Sequence, residues 1–335
     1  MKIEEKKELI KRGTEEIVTE EELEEILSKK ENPTVYCGYE VSGPVHLGTM
    51  TTLVKLRDYQ KAGLNIKMLL ADIHTHLNLK GDKEWIEEMA RYWEETFKAF
   101  GLTEVDYILG SSYQTKDKYV KELLELATKV TINRGERSMR QVSRGGDTKE
   151  ISQLIYPLMQ ALDIPHLEAD LAHGGIDQRK VHMLARDHLP DIGYKSPTSI
   201  HNPMLISLQG PETKMSSSKP KTTFPLHAEP ETIRERIKKA YCPQGETKGN
   251  PIIEIIKIAV MPMQKELKVN RPEKYGGDIV YKKLEDIEND FKEGKLHPAD
   301  LKKSTREAII EMLEPIREHF EKNPEFLKPL EKLEE

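Results

Sequence analysis

The sequence predicts an α/β protein: a parallel sheet flanked by helices, followed by a second, mostly helical unit. Three observations predict it. Short β-rich apolar runs alternate with long amphipathic helical stretches up to about residue 209, the pattern of parallel βαβ units. After Pro220 the composition changes, and Lys/Glu-rich helical segments take over. The chain has 335 residues, 33% of them charged and 6% aromatic, enough for a large core and a smaller appended one under a well-solvated surface.

Each element can be justified in order. Residues 3–30 read as a helical segment, with Thr19 an N-cap and Glu22 at capping-box spacing. "TVYCGY" (34–39) is a short strand, ended by the turn at Gly43-Pro44, and the pattern is helical from Leu47 to Tyr59. "LNIKMLLAD" (64–72) is a second strand, "KEWIEEMARYWEETFKAFG" (83–101) an amphipathic helix, and "VDYILG" (105–110) a third strand. From Lys116 to Gln160 the period is helical throughout, which predicts a helical insertion (about 116–150) between two halves of the sheet. "HLEADLAHGG" (166–175) and "TSIHNPMLIS" (198–207) read as later strands of that sheet. The final helices are broken at "RPEKYGGD" (271–278) and "LHPADL" (296–301). The expected divisions are 1–30, 31–209, a polar loop and linker at 210–225, and 226–335.

Composition narrows the function. No run approaches the ~18 apolar residues of a membrane span, and the start "MKIEEKKELIKRG" has no apolar core of a secretory signal. Two distant cysteines, Cys37 and Cys242, fit a reducing cytoplasmic setting without disulfides. No metal-ligand spacing is present, so no protein-held metal is expected. A net charge of −6 argues against nonspecific nucleic-acid binding while leaving room for a local basic face.

The chemistry starts at "GYEVSGPVHLGTM" (38–50). It is no P-loop, because Pro44 and Val45 follow Gly43 where Lys and Ser/Thr would be needed. A strand ending near Gly38, a turn at Ser42-Gly43-Pro44 and a helix starting near His46 would aim backbone N–H groups at an anion. His46 could donate to a phosphate gaining charge, and Gly48 would let a nucleoside lie against the helix. From this stretch alone, a plain strand-turn-helix corner with a capping histidine reads equally well. The second stretch is "KMSSSKP" (214–220), a polar loop with a lysine and three hydroxyls after the last strand.

Together the two resemble the class I aminoacyl-tRNA synthetases, with "HLGT" (46–49) in place of the HIGH motif and "KMSSS" (214–218) in place of KMSKS. The segments "YCGYEVSGPVHLG", "LLADIH", "YPLMQALDI", "GGIDQRKVHMLAR", "KKAYCP" and "LHPADLK" resemble, in this order, tyrosyl-tRNA synthetases of the archaeal/eukaryotic type, from about Leu9 to Ile316. The resemblance implies a Rossmann-like catalytic domain, a helical anticodon-binding domain, a cytoplasmic homodimer, and L-tyrosine, ATP with Mg²⁺ and tRNA(Tyr) as substrates. It implies that Tyr36 and Asp163 grip the tyrosine phenol, while Tyr156, Gln160 and Gln178 hold its α-amino end. Leu69, His74, Tyr113, Gln114 and Leu167 would complete that pocket. Spacing agrees in one respect: Tyr156, Gln160 and Asp163 stand at i, i+4 and i+7, on one helix face.

Gly38, Gly43, His46, Gly48 and Thr49 would cradle ATP, with Lys214, Met215, Ser216, Ser217 and Ser218 closing over the phosphates. His46, Thr49, Lys214 and Ser217 are the implied catalytic set. Arg137 and Arg179 match residues at the tRNA acceptor end, and Tyr275 and Asp300 match anticodon contacts. Three positions depart from the pattern: Thr49 replaces the second histidine of HIGH, Ser217 the second lysine of KMSKS, and Val41 a frequent proline. A tryptophanyl-tRNA synthetase, a small-molecule nucleotidyltransferase and a catalytically silent RNA-binding relative stay open as alternatives. Tyr36 with Asp163 argues against the first, and the helices after residue 225 against the second.

Overall fold

The computed structural model describes residues 1–139, 150–213, 215 and 219–333. In chain order it has α1 (Ile3–Lys11), β1 (Glu16–Val18), α2 (Glu20–Lys29), β2 (Thr34–Tyr39), α3 (Met50–Lys61), β3 (Asn65–Leu70), α4 (Asp72–Leu77), α5 (Lys83–Ala99) and β4 (Val105–Leu109). Then come α6 (Asp117–Ala127), α7 (Ile132–Met139), α8 (Ile151–His166), β5 (Leu171–Gly175), α9 (Arg179–His188) and β6 (Thr198–Asn202). After the polar loop follow α10 (Pro230–Lys238), α11 (Pro251–Ile255), α12 (Met261–Gln264), β7 (Leu267–Val269), β8 (Ile279–Tyr281), α13 (Leu284–Lys292), α14 (Pro298–Met312), α15 (Glu314–Lys322) and α16 (Lys328–Glu331).

Six strands form one sheet in the order β1-β6-β5-β2-β3-β4. Five run parallel, and β1 pairs antiparallel with β6 at the edge. From β2 the chain winds outward through β3 and β4, then returns to place β5 on β2's other side. That reversal leaves a crevice at the C-terminal ends of β2 and β5, where open α/β sheets bind ligands.

Alternation along β2 assigns its side chains to two cores. Val35 and Cys37 join a buried cluster with α3, α5 and the later helices, including Phe291, Leu301, Ile316 and Phe320. Tyr36 faces the opposite way, into a cluster with Leu162 of α8 and Leu184 of α9. The insertion helices therefore cover the face that Tyr36 joins.

Some expectations need adjustment. The helical reading of 3–30 is interrupted by β1, a strand of three residues, too short for an alternation pattern to register. Thr19 does cap α2, accepting from Glu22 N–H at 3.2 Å while the Glu22 carboxylate returns to Thr19 N–H. The strand expected over 166–175 begins only at Leu171, because α8 runs through His166. The hairpin partners β7 and β8 lie where the Lys/Glu-rich composition predicts helix; each is only three residues long. Among the described residues no helix is long and apolar enough to cross a membrane.

Candidate active site

The crevice is a pocket of about 420 Å³. Its walls come from the end of β2 and the turn after it, the start of α3, α8, and the Gly174–Gln178 stretch after β5.

At the deep end, behind the pocket-lining His74, lies Asp163, fully buried on α8. Its Oδ1 accepts from Tyr113 OH and Gln114 Nε2, both at 2.8 Å, and lies 2.9 Å from Tyr119 OH, whose single proton it shares with Met159 O, also at 2.9 Å. Its Oδ2 has no hydrogen-bond partner, and His74 Nε2 lies 3.5 Å away, likewise without one. Burial pushes the Asp163 carboxyl up, opposed by His74 and the three donors. Burial also raises the Tyr36 phenol well above its ordinary value, and the Asp163 charge pushes the same way. Tyr36 thus shares the electrostatic neighbourhood of a carboxylate with one oxygen free. Its side chain folds back over its own strand, so a Cβ at Gly38 would sit 2.8 Å from Tyr36 OH. Gly38 is required by tyrosine packing two residues upstream.

The middle of the pocket holds the other α8 residues. Tyr156 stands edge-on to His74, ring centroids 4.7 Å apart, and burial together with the nearby Glu40 charge raises its phenol well above the ordinary value. Glu40 is also paired with Lys80 and accepts from Asn78 Nδ2 at 2.8 Å. Gln160 Nε2 donates to Gln178 Oε1 at 3.1 Å, leaving Gln160 Oε1 buried without a partner. Gln178 Nε2 in turn donates to Asp177 Oδ2 at 2.8 Å. Several acceptors converge here, as an ammonium group requires. All five residues expected to touch tyrosine lie in or beside one pocket. Leu69 and His74 line it, whereas Leu167 packs in the α8-side core.

The outer end is built on the glycine turn. His46 Nδ1 accepts from Gly48 N–H at 3.0 Å, capping the short 3₁₀ turn Leu47–Thr49 that leads into α3. Burial pushes His46 down to about 4, so the ring is neutral. With Nδ1 accepting, Nε2 carries the proton. A Cβ at Gly48 would lie 2.7 Å from the His46 ring and 3.0 Å from Met215 Sδ. Met215 therefore lies against the turn; Lys214, Ser216, Ser217 and Ser218 lie outside the described residues. Thr49 is buried and lines the same pocket.

The remaining expected residues fall outside the pocket. Arg137 on α7 and Arg179 on α9 are exposed on helices that touch, joined by Ser138 Oγ donating to Lys180 O at 3.3 Å. Arg179 Nε is held by both oxygens of Glu16, at 2.7 and 3.0 Å. Tyr275 is 62% exposed with Lys274 Nζ 4.9 Å from its ring centre. Arg271 braces its turn, donating to Gly277 O and to Lys295 O, both at 2.8 Å. Asp300 sits in the first turn of α14, where His297 accepts from Ala299 N–H.

Sequence reasoning missed Tyr119, Glu40, Lys80 and Asp177. Asp177 and Glu40 lie inside quoted motifs, "GGIDQRK" and "GYEVSG", and were the findable ones; nothing local marks Tyr119.

A family described as "tRNA synthetases class I (W and Y)" matches residues 28–314. The chain therefore belongs to the class I aminoacyl-tRNA synthetases, in the group that serves tryptophan and tyrosine. Within that group it falls among the tyrosine--tRNA ligases. It is 49% identical to the "Tyrosine--tRNA ligase" of Archaeoglobus fulgidus over 96% of this chain and 99% of that one. It is 46% identical to that of Methanopyrus kandleri over 95% and 98%. A crystal structure of tyrosyl-tRNA synthetase complexed with L-tyrosine from Archaeoglobus fulgidus superposes with a TM-score of 0.92 at 48% identity, covering 95% of this chain and 99% of that one. The tryptophanyl-tRNA synthetase of Aeropyrum pernix shares the fold, with a TM-score of 0.74 at 20% identity.

Proposed function

We propose that this protein activates L-tyrosine with ATP and transfers the tyrosyl group to the 3′-terminal adenosine of tRNA(Tyr). One observation carries the choice of amino acid: Asp163 has one oxygen surrounded by Tyr113, Gln114 and Tyr119, and the other without a hydrogen-bond partner, 3.5 Å from His74 Nε2. A free, buried carboxylate oxygen beside the Tyr36 phenol suits a ligand that brings its own O–H. Phenylalanine would leave both groups unpaired, an arrangement that supports roughly 10⁴–10⁵-fold rejection. Tyr156, Gln160 and Gln178, with Glu40 and Asp177 nearby, would receive the ammonium group.

In the first step the tyrosine carboxylate attacks the α-phosphorus of ATP. A P–O bond forms, the bond to the β-phosphate oxygen breaks, and pyrophosphate leaves with its electron pair. The attacking group is already an anion, so no general base is needed. His46 Nε2–H is a neutral donor for a phosphate oxygen, Gly38, Gly43, Gly48 and Thr49 let the nucleotide approach, and Met215 marks where the Lys214–Ser218 loop would close. Mg²⁺ would arrive on the ATP phosphates as part of that substrate. In the second step a ribose hydroxyl of the terminal adenosine attacks the tyrosyl carbonyl carbon, the acyl C–O bond to phosphate breaks, and AMP leaves with its phosphate as the acceptor for the hydroxyl proton.

For tRNA, Arg137 and Arg179 would meet the acceptor end. Tyr275 would stack on an unpaired anticodon base and Asp300 accept from a base edge. The division into a catalytic unit (31–209), a loop and linker (210–225) and an anticodon-binding unit (226–335), preceded by 1–30, belongs to the same reading, as does a cytoplasmic site of action. Exposed Val120, Leu124 and Ile132 on the insertion helices support a homodimer through that surface. The test is amino-acid-dependent pyrophosphate exchange with tyrosine against tryptophan, followed by charging of tRNA with labelled tyrosine. Exchange driven by tryptophan, or none at all, would overturn the reading.

A further inference from the structure

Two side chains of α5, Tyr92 and Trp93, reach the turn that carries His46. Trp93 Nε1 donates to Gly43 O at 2.8 Å. Tyr92 OH accepts from Val45 N–H at 3.1 Å. Both rings are buried, and Trp93 also lines the pocket. The Tyr92 oxygen lies 3.0 Å from His227 Nδ1. Burial pushes His227 down to about 4, so its ring is neutral, and with Tyr92 keeping its proton the O–H and Nδ1 share a hydrogen bond whose direction follows the ring's tautomer.

His227 directly follows the segment by which the 210–225 loop leaves the site. That segment is laced to the same turn: Leu47 N–H donates to Phe224 O at 3.0 Å, and Leu226 N–H to Val45 O at 2.9 Å. His46 and Pro225 form a β-bridge between them. Tyr92 therefore closes a ring of hydrogen bonds through the turn, α5 and the loop's exit. Its own ring packs on Phe320 of α15, centroids 5.5 Å apart.

We propose that Tyr92 and Trp93 are positioning residues for the nucleotide step, fastening the His46 turn to the exit of the 210–225 loop so that both keep one register. The proposal rests on the reading of that turn as ATP-facing. It is specific to one half of the pocket, because the hydrogen bonds around Asp163 involve neither residue.

The test compares Tyr92→Phe, His227→Phe, their double variant and Trp93→Phe. Pyrophosphate exchange is measured with ATP and tyrosine varied separately, tyrosine affinity by equilibrium dialysis without ATP, and thermal midpoint alongside. Tyr92→Phe should lower kcat/KM for ATP about ten-fold, the scale of leaving a buried N–H unpaired. Tyrosine affinity should stay within about two-fold, and the double variant should be no worse than the poorer single one, since both break the same bond. Trp93→Phe should repeat the split through Gly43. Unchanged ATP kinetics, or ATP and tyrosine parameters falling together with the thermal midpoint, would sink the inference. His46→Asn runs in parallel. If it spares ATP kinetics, the ATP-facing reading fails and the proposal with it; if it does not, while Tyr92→Phe does, only the positioning role fails.

Discussion

The deep and outer ends of the pocket are built by opposite means. The deep end is side chain on side chain: Asp163 is fixed by Tyr113, Gln114 and Tyr119, which come from the segment between β4 and α6 and from α6 itself. The outer end is backbone and small residues, with a histidine capping its own turn and Gly48 where a Cβ would collide with that ring. On the proposed reading, the difference separates two tasks. Choosing an amino acid needs a dry, pre-satisfied site that punishes a missing hydroxyl. Activating ATP needs room for a large anion and donors held in line.

If the deep end carries selection, removing its carboxylate should do the greatest damage. We predict that Asp163→Asn lowers kcat/KM for tyrosine by roughly 10³-fold or more, since a charged acceptor is lost and buried donors are left poorly matched. ATP KM should change little. Steady-state pyrophosphate exchange with tyrosine and phenylalanine checks this, and a variant that still rejects phenylalanine as well as before would break the comparison.

At the outer end the corresponding blow is Gly48→Ala. The new methyl would meet the His46 ring at 2.7 Å and Met215 Sδ at 3.0 Å, so the histidine must leave its cap. We predict about a 10²-fold drop in kcat for exchange, the scale of losing a placed electrostatic donor, with tyrosine binding retained in dialysis. Equal losses in both would mean that the two ends are not separable.

Only part of this contrast was legible in the sequence. The strand-helix alternation and the later helices could be read from periodicity, and the glycine turn from its punctuation. Tyr36 and Asp163 could be paired only through the resemblance, because β2's alternation and the packing of α8 bring them together across more than a hundred residues. Tyr119 supplies a donor no motif announces: an i, i+4-type pattern on α6 reads as ordinary core. β1 was invisible because three residues at a sheet edge carry no period. The outer end was more readable because its requirements are local, a turn, a cap and an absent Cβ.

Thr49 sharpens the comparison at a smaller scale. It is buried in the pocket wall where the family motif has a second histidine. If its hydroxyl stands in as a donor, Thr49→Ala should slow adenylate formation by about ten-fold, one ordinary hydrogen bond to a charged group, and leave tyrosine affinity alone. Single-turnover kinetics with saturating tyrosine would show it, and an unchanged rate would remove Thr49 from the nucleotide step.

The smallest effect concerns acid, and the two ends should respond with opposite sign. Burial raises Asp163, so its burial costs stability at neutral pH, and the cost is relieved as the pH falls through its raised folded value. Burial lowers His46 and His227 from 6.5 to about 4 and His182 to about 3. For those rings the unfolded chain takes up protons first as the pH drops. Their contribution is complete above about 6.5 and is lost as the pH falls through their folded values. The lowered histidines His46, His173, His182 and His227 outnumber the raised carboxylates Asp163 and Asp177, so the thermal midpoint should hold above pH 7 and decline steadily between pH 6.5 and 4. His227→Phe should flatten part of that slope. A midpoint that rises on acidification, or a slope indifferent to His227, would show that these rings are not held neutral by the fold.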